Sequence, residues 1–505
     1  YWNHTPLLLV TPQAANKTMG QGGFQEVEQM NLFKDMVCYQ EEVRDPSRMA
    51  EVLNRVIEKA IRGSAPAQIN VPRDYWTQVV DIELPPIVRL ERQGGGSDSI
   101  SKAAKLLSEA KFPVILSGAG VVIGGAIEDC KKLAEKLDSP VCSGYQHNDS
   151  FPGSHPLAAG PLGYNGSKAA MQLISKADVV LALGTRLNPF STLPGYGLDY
   201  WPKEAKIIQV DMNSDRIGLT KKVTVGICGD TKLVSQQILE KLSSNAGDQG
   251  REERKNLIHQ TKSAWLQTLT SLDHEEDDPG TVWNKEARER DNNRMSPRQA
   301  WRAIQSGMPE DVIISSDIGN NCAIGNAYPT FEKGRKYLAP GLFGPCGYGF
   351  PSILGAKIGC PDTPVIGFAG DGAFGISMNE MSSCARKEWP NITMVIFRNY
   401  QWGAEKRNSI LWYDDNFVGT ELDPELSYAK IANACGLKGV AVKTMEETTK
   451  AIKQSCEDQK KGITTFIEVI LNQELGEPFR RDAMKKPVKV AGINKIDMKP
   501  QKSLN

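Results

Sequence analysis

Val365-Ile-Gly-Phe-Ala-Gly370-Asp371-Gly372-Ala373-Phe374 runs from an apolar stretch into a Gly-Asp-Gly turn. The apolar part predicts a buried strand. The turn follows at its carboxyl end, where open α/β sheets bind ligands. Glycine lacks a Cβ, so Gly370 and Gly372 let the backbone approach a phosphate closely. A helix is expected next, over residues 375–387, with an N-terminus that favours an anion. A second strand, Met394-Val-Ile-Phe-Arg-Asn399, ends in an amide side chain 28 residues after Asp371. That separation leaves room for a helix and a return strand, and a right-handed crossover can place Asp371 and Asn399 side by side at one sheet edge. Carboxylate, amide oxygen and a main-chain carbonyl are hard ligands. With two diphosphate oxygens and a water they make an octahedral Mg²⁺ site. A bare Gly-Asp-Gly is more readily a tight turn, and Asn399 a strand cap. The two at this spacing, each following a strand, favour the cation.

Working outward, the alternation of strands and helices extends along most of the 505 residues. Strands are expected at residues 7–11 and 67–71, around an amphipathic helix at 46–61 with Pro46 in its first turn. The Pro- and Gly-rich stretch 85–98 reads as a linker. Strands at 112–116, 141–142, 177–183 and 206–211, with a helix at 126–137, form a second block. Strands at 312–315, 365–368, 394–397 and 465–470 form a third. Such alternation implies parallel α/β sheets. Gly118-Ala-Gly120 could cradle a phosphate, but its third glycine, Gly124, is one place late for the dinucleotide fingerprint. A structural turn is therefore favoured over a nucleotide site and a dehydrogenase function. Asp211 could contact a ribose or an adenine, or cap a helix. Residues 246–293 are charged and polar, as in a solvated linker or surface helix.

Lys+Arg and Asp+Glu both number 60, so no net field points to nucleic acid or a membrane surface. No apolar run approaches the roughly 18 residues of a membrane span. The ten cysteines include no C-x-x-C pair, which argues for reduced thiols in a cytoplasmic setting.

The segment from Gly370-Asp371-Gly372 to Asn399 resembles the cofactor signature of the thiamine-diphosphate enzymes, the superfamily of acetolactate synthase and pyruvate decarboxylase. Gly344-Pro345-Cys346-Gly347-Tyr348-Gly349-Phe350-Pro351 resembles that family's Gly-rich segment, and Phe24-Gln25-Glu26 a segment of its first domain. The likeness covers nearly the whole chain. It implies three doubly wound parallel-sheet α/β domains, the first incomplete. Residues 1–85 would be the C-terminal half of a pyrimidine-binding domain and 97–245 a central Rossmann-like domain. A charged linker, 246–293, would lead to a diphosphate- and Mg-binding domain, 294–475, and a tail, 476–505. The resemblance assigns Mg²⁺ to Asp371, Asn399 and the carbonyl of Gln401. It assigns thiamine diphosphate to Gly319, Asn320 and Asn321 (with Ile318 in the same turn), to Gly344, Pro345 and Cys346, and to Gly370, Asp371, Gly372, Ala373, Asn399, Gln401 and Gly403. Gly372 and Ala373 would offer main-chain N–H groups to the diphosphate. Cys346 stands where the family commonly has a bulky aliphatic residue that bends the cofactor.

The run from Arg398 to Phe417, with Phe368–Ser383 before it and Gly476–Ala483 after it, resembles the sulfoacetaldehyde-processing branch. Its members turn sulfoacetaldehyde and phosphate into acetyl phosphate and sulfite. Both substrates are anionic, so fixed cations are needed. Lys406 and Arg407 are the expected ones, with Arg480 and Arg481 as further candidates and Gln25 also at the catalytic site. The cofactor is the expected electron sink, so no side-chain nucleophile is required. The resemblance also implies a homodimer or homotetramer with sites between subunits. A 2-oxo acid carboligase of the acetolactate synthase kind and a non-catalytic cofactor-binding protein are the alternatives. The chain opens on Tyr1-Trp2-Asn3-His4 and is expected to begin inside a domain, after the family's cofactor-activating Glu. On that expectation, this chain alone turns over slowly or not at all.

Overall fold

Three parallel sheets organise the chain, as the α/β alternation requires. The computed structural model describes residues 1–86, 88, 90–274, 294–386, 388–412 and 417–474. These divide into two compact units, Tyr1–Glu91 with Gly341–Gly344, and the remainder from Arg92 onward.

The first unit holds β1 (Leu7–Gln13), β2 (Tyr39–Glu42) and β3 (Pro66–Pro72), in the order β1-β3-β2. The central strand β3 is almost wholly buried. The helix Met49–Gly63 covers the sheet with Val52, Val56 and Ala60, one residue per turn on a single face. Pro46 does not open this helix directly. It starts a separate 3-10 turn, Pro46–Arg48, in which Asp45 accepts from the Ser47 amide at 2.9 Å.

The second unit contains two six-stranded sheets. One has the order β6-β5-β4-β7-β8-β9, from β4 (Pro113–Ser117), β5 (Val141–Ser143), β6 (Ala158–Pro161), β7 (Val179–Leu183), β8 (Lys206–Asp211) and β9 (Val225–Cys228). The chain winds outward from β4 in one direction, then returns to build the other half from β7. At that reversal Gly120 donates to the Gly184 carbonyl at 2.9 Å, and a Cβ on Gly120 would lie 2.6 Å from the Gly184 Cα. The Gly118-Ala-Gly120 turn thus serves the close approach of two strand-end turns.

The other sheet has the order β11-β10-β12-β13-β15-β14. Its strands are β10 (Ile313–Ser316), β11 (Tyr337–Leu338), β12 (Val365–Gly370), β13 (Thr393–Arg398), β14 (Lys438–Val442) and β15 (Thr465–Ile470). The chain leaves neighbouring strands β10 and β12 in opposite directions, which makes their carboxyl ends the switch point of the sheet. Beneath lie Trp301, Phe368 and Phe397, with the Trp301 ring 4.8 and 5.3 Å from the other two. Trp301 Nε1 donates to the Asn321 carbonyl at 2.6 Å and so ties the turn after β10 to the core.

Part of the charged stretch expected to be a solvated linker or surface helix is a helix, Arg251–His274, with several buried residues. Ile258, Trp265 and Leu269 are buried, and Arg254 is 0% exposed. The Arg254 guanidinium donates to the carbonyls of Leu137, Asp138, Lys111, Gln249 and Gly247 at 2.6–2.9 Å. Local composition hid this, because every acceptor is a backbone carbonyl. Arg254→Met is expected to cost about 4 kcal/mol, since several buried carbonyls lose a charged donor. In scanning calorimetry that corresponds to a midpoint about 10 °C lower, and a change under about 2 °C would refute the role.

Candidate active site

Asp371 follows β12 as the first residue of the helix Asp371–Ser377, with Gly370 as its N-cap. The helix therefore starts earlier than residues 375–387. A second short helix, Glu380–Cys384, follows it. Pairing of β12 with β13 sets Gly370 opposite Phe397, so Asp371 and Asn399 reach the same sheet edge. Asp371 Oδ2 accepts from the Tyr400 amide at 2.7 Å and from Arg398 Nη1 at 3.0 Å, and Oδ1 accepts from the Gly372 amide at 3.0 Å. Burial pushes the Asp371 carboxyl up to about 6, against the opposing pull of Arg398 and of the Tyr400 and Gly372 amides. A carboxylate held this way gains from a cation beside it.

Tyr400 sits at φ +61° and turns the chain sharply after Asn399. Gln401 then meets Glu421 in an isolated bridge. The ladder bonds run from Trp402 N to Thr420 O (2.7 Å) and from Leu422 N to Tyr400 O (2.9 Å), so they leave the Gln401 carbonyl unused. Asn399 Oδ1 and Gln401 Oε1 are buried without a hydrogen-bond partner. Buried oxygens are seldom left so, and hard oxygens next to a buried carboxylate are what a divalent cation takes. A Cβ at Gly372 would lie 2.8 Å from the Trp402 ring, so only glycine fits beneath that indole. The residues present fit Mg²⁺ and a diphosphate.

The turn after β10 forms the other side. Gly319 has φ +116°, a conformation that favours glycine, and leads into the short helix Asn320–Ile324. Asn320 Nδ2 and Asn321 Oδ1 are buried and unpartnered. Asp317 was not singled out from the sequence, yet it organises this turn. Its carboxylate accepts from the amides of Ile318 (2.8 Å), Gly347 (3.1 Å) and Gly349 (2.6 Å), joining the β10 turn to the Gly-rich segment. Burial raises its carboxyl, and those amides oppose the rise. Cys346 is exposed beside this junction. Partial desolvation pushes its thiol up, with Asp317 and Glu405 adding to the shift. Pro345 is exposed, while Gly344, at φ +64°, groups with the first unit. Ala373 is buried in the first turn of the Asp371 helix. The Gly372 amide, also assigned to the diphosphate, is here engaged by Asp371 itself.

Arg398 is the second residue that sequence reasoning missed. It is wholly buried. Besides Asp371, it donates to the carbonyls of Asp423 and Leu426, and it pairs with Glu468 Oε1 at 3.6 Å. Its guanidinium lies 4.2 Å from the Tyr400 ring centroid. Only its place directly before Asn399 was visible in the sequence.

Gly403 opens the helix Gly403–Trp412, which carries Lys406 and Arg407. The two cations differ. Lys406 Nζ is paired with Glu421 and donates to Gln473 Oε1 at 3.4 Å. Arg407, 4% exposed, donates through Nη1 to the Tyr164 hydroxyl, while Nε and Nη2 have no partner. Gln25 is exposed in the first unit, at φ +63°. Arg480 and Arg481 lie outside the described residues.

Residues 100–241 match the family profile described as thiamine pyrophosphate enzyme, central domain, and residues 317–469 the C-terminal TPP binding domain. The chain is 76% identical over 504 residues to the probable sulfoacetaldehyde acetyltransferase of Rhizobium meliloti (strain 1021), covering 100% of this chain and 85% of that protein. It is 74% identical over 501 residues to the sulfoacetaldehyde acetyltransferase of Roseovarius nubinhibens, covering 99% and 83%. Acetolactate synthases are more distant relatives than these. Benzoylformate decarboxylase from Polynucleobacter necessarius has the same fold, with a TM-score of 0.75 at 19% identity over 95% of this chain and 84% of that one. The chain therefore belongs to the sulfoacetaldehyde acetyltransferases, a family of thiamine-diphosphate enzymes.

Proposed function

We propose that the assembled protein converts sulfoacetaldehyde and phosphate into acetyl phosphate and sulfite, with thiamine diphosphate and Mg²⁺. One observation carries the reading. A buried carboxylate and two buried, unpartnered amide oxygens follow two adjacent strands, and the next helix bears a buried guanidinium with two unpartnered nitrogens. Asp371, Asn399 and the Gln401 carbonyl hold the ion, and Arg398 orients Asp371. When bound, thiamine diphosphate supplies the electron sink that lets the carbon–sulfur bond break. Arg407 donates to an anionic substrate, and the Lys406–Glu421 pair anchors the helix that presents it. Gln25 belongs to the catalytic half contributed by residues 1–85, with 97–245 as the central domain, 246–293 as the linker and 294–475 as the diphosphate domain. Pro345 and Cys346 border the cofactor. The protein works in the cytoplasm as a homodimer or homotetramer, with sites between subunits. Among the described residues, no helix is long and apolar enough to cross a membrane.

The intact protein, supplied with thiamine diphosphate, Mg²⁺ and both substrates, is expected to release sulfite and acetyl phosphate in equal amounts. Consumption of pyruvate with CO₂ release, and no sulfite from sulfoacetaldehyde, would favour the carboligase reading instead.

A further inference from the structure

Tyr164 lies in the loop after β6, between Gly163 at φ +83° and Asn165 at φ +48°. It meets the diphosphate-binding sheet's surroundings at two points. Its carbonyl accepts from Asn326 Nδ2 at 3.2 Å, just past the Asn320–Ile324 helix. Its hydroxyl accepts from Arg407 Nη1, on the helix that follows the metal turn. The loop thereby bridges the two flanks of the cofactor site. Arg407 forms no ion pair among the described residues, and its buried Nε and Nη2 face no acceptor. A desolvated guanidinium without a counter-charge is costly. A tetrahedral oxyanion, bound by two parallel N–H groups, offsets that cost. Lys406 cannot serve in the same way, because Glu421 already neutralises it.

We propose that Arg407 forms a tetrahedral-oxyanion subsite through Nε and Nη2, and that Tyr164 is the positioning residue that aims it. The ligand is either the sulfonate of the aldehyde or the phosphate co-substrate. That choice rests on the acetyltransferase reading, whereas the existence of the subsite does not.

The test uses Tyr164→Phe and Arg407→Lys in the intact holoenzyme. Both keep bulk, and the second keeps charge. Each is expected to raise the KM of one anionic substrate roughly tenfold, the loss expected when a charge-assisted bond is misaimed or removed. The other KM is expected to stay within about twofold, as for any group that touches one ligand only. A raised phosphate KM assigns the subsite to phosphate, and a raised sulfoacetaldehyde KM assigns it to the sulfonate. Calorimetric titration with inorganic sulfate and phosphate supplies a readout that needs no turnover, and both variants are expected to bind the anion more weakly than the parent. Unchanged KM values together with unchanged anion affinity would overturn the proposal. If the parent releases no sulfite, the acetyltransferase reading fails, and the titration alone decides the subsite.

Discussion

Asp371→Asn is expected to lower turnover by about a thousandfold or more, the equivalent of several kcal/mol of metal-dependent stabilisation. The substitution keeps the shape and removes the charge. It also replaces a carboxylate that accepts from three N–H groups by an amide with one acceptor oxygen. Binding should fail along with rate, because Asp371 would hold the ion. Trp402 packs where a side chain at Gly372 would sit, so its share of the fluorescence of the nine tryptophans is sensitive to the site. Titration with Mg²⁺ in the presence of thiamine diphosphate is expected to change that signal in the parent and not in the variant. A variant that binds both as the parent does, with activity within about tenfold, would remove Asp371 from the ligand set.

The second large effect is expected at Arg398. Its guanidinium stands between two buried carboxylates, Asp371 and Glu468, and also holds the Asp423 and Leu426 carbonyls. Glu468 in turn accepts from Ser427 Oγ (2.6 Å) and the Ala429 amide (3.1 Å), at the start of the helix Tyr428–Ala434. Arg398→Met leaves two buried acids facing each other without their cation. Breaking a buried pair on one side costs about 3–5 kcal/mol. For a domain of this size that is a melting midpoint lower by about 10 °C. Arg398→Lys is expected to recover only part of it, since one ammonium cannot span a carboxylate on each side and two carbonyls. Calorimetry on the three proteins checks this, with hydrogen exchange of residues 423–426 as a local readout. A midpoint shift under about 2 °C for Arg398→Met would refute the account.

Much of the third sheet was legible because its strands are continuous apolar runs and its key turn is short. Asp371 and Asn399 each directly follow a strand, so their spacing alone implied a shared edge. The strands missed were β2, β6, β9, β11 and β14. They are two to five residues long, and several are only partly buried, so their patterns carry little signal. Asp317 and Arg398 escaped for a different reason. Most of their partners lie 25–70 residues away in sequence, and a charged residue at a strand end looks the same whether it is solvated or buried. The packing of the helix Arg251–His274 was invisible for the same reason, since Arg254 is satisfied by carbonyls that no composition reveals.

Sequence by itself therefore determined the sheet class and the family, because strand periodicity and turn chemistry are local properties. Lys406 and Arg407 show where tertiary structure took over. They are adjacent, similar in charge and both buried, and nothing local separates them. Packing brings Glu421 to the first and Tyr164 to the second, so one cation is neutralised and the other keeps two unpartnered N–H groups.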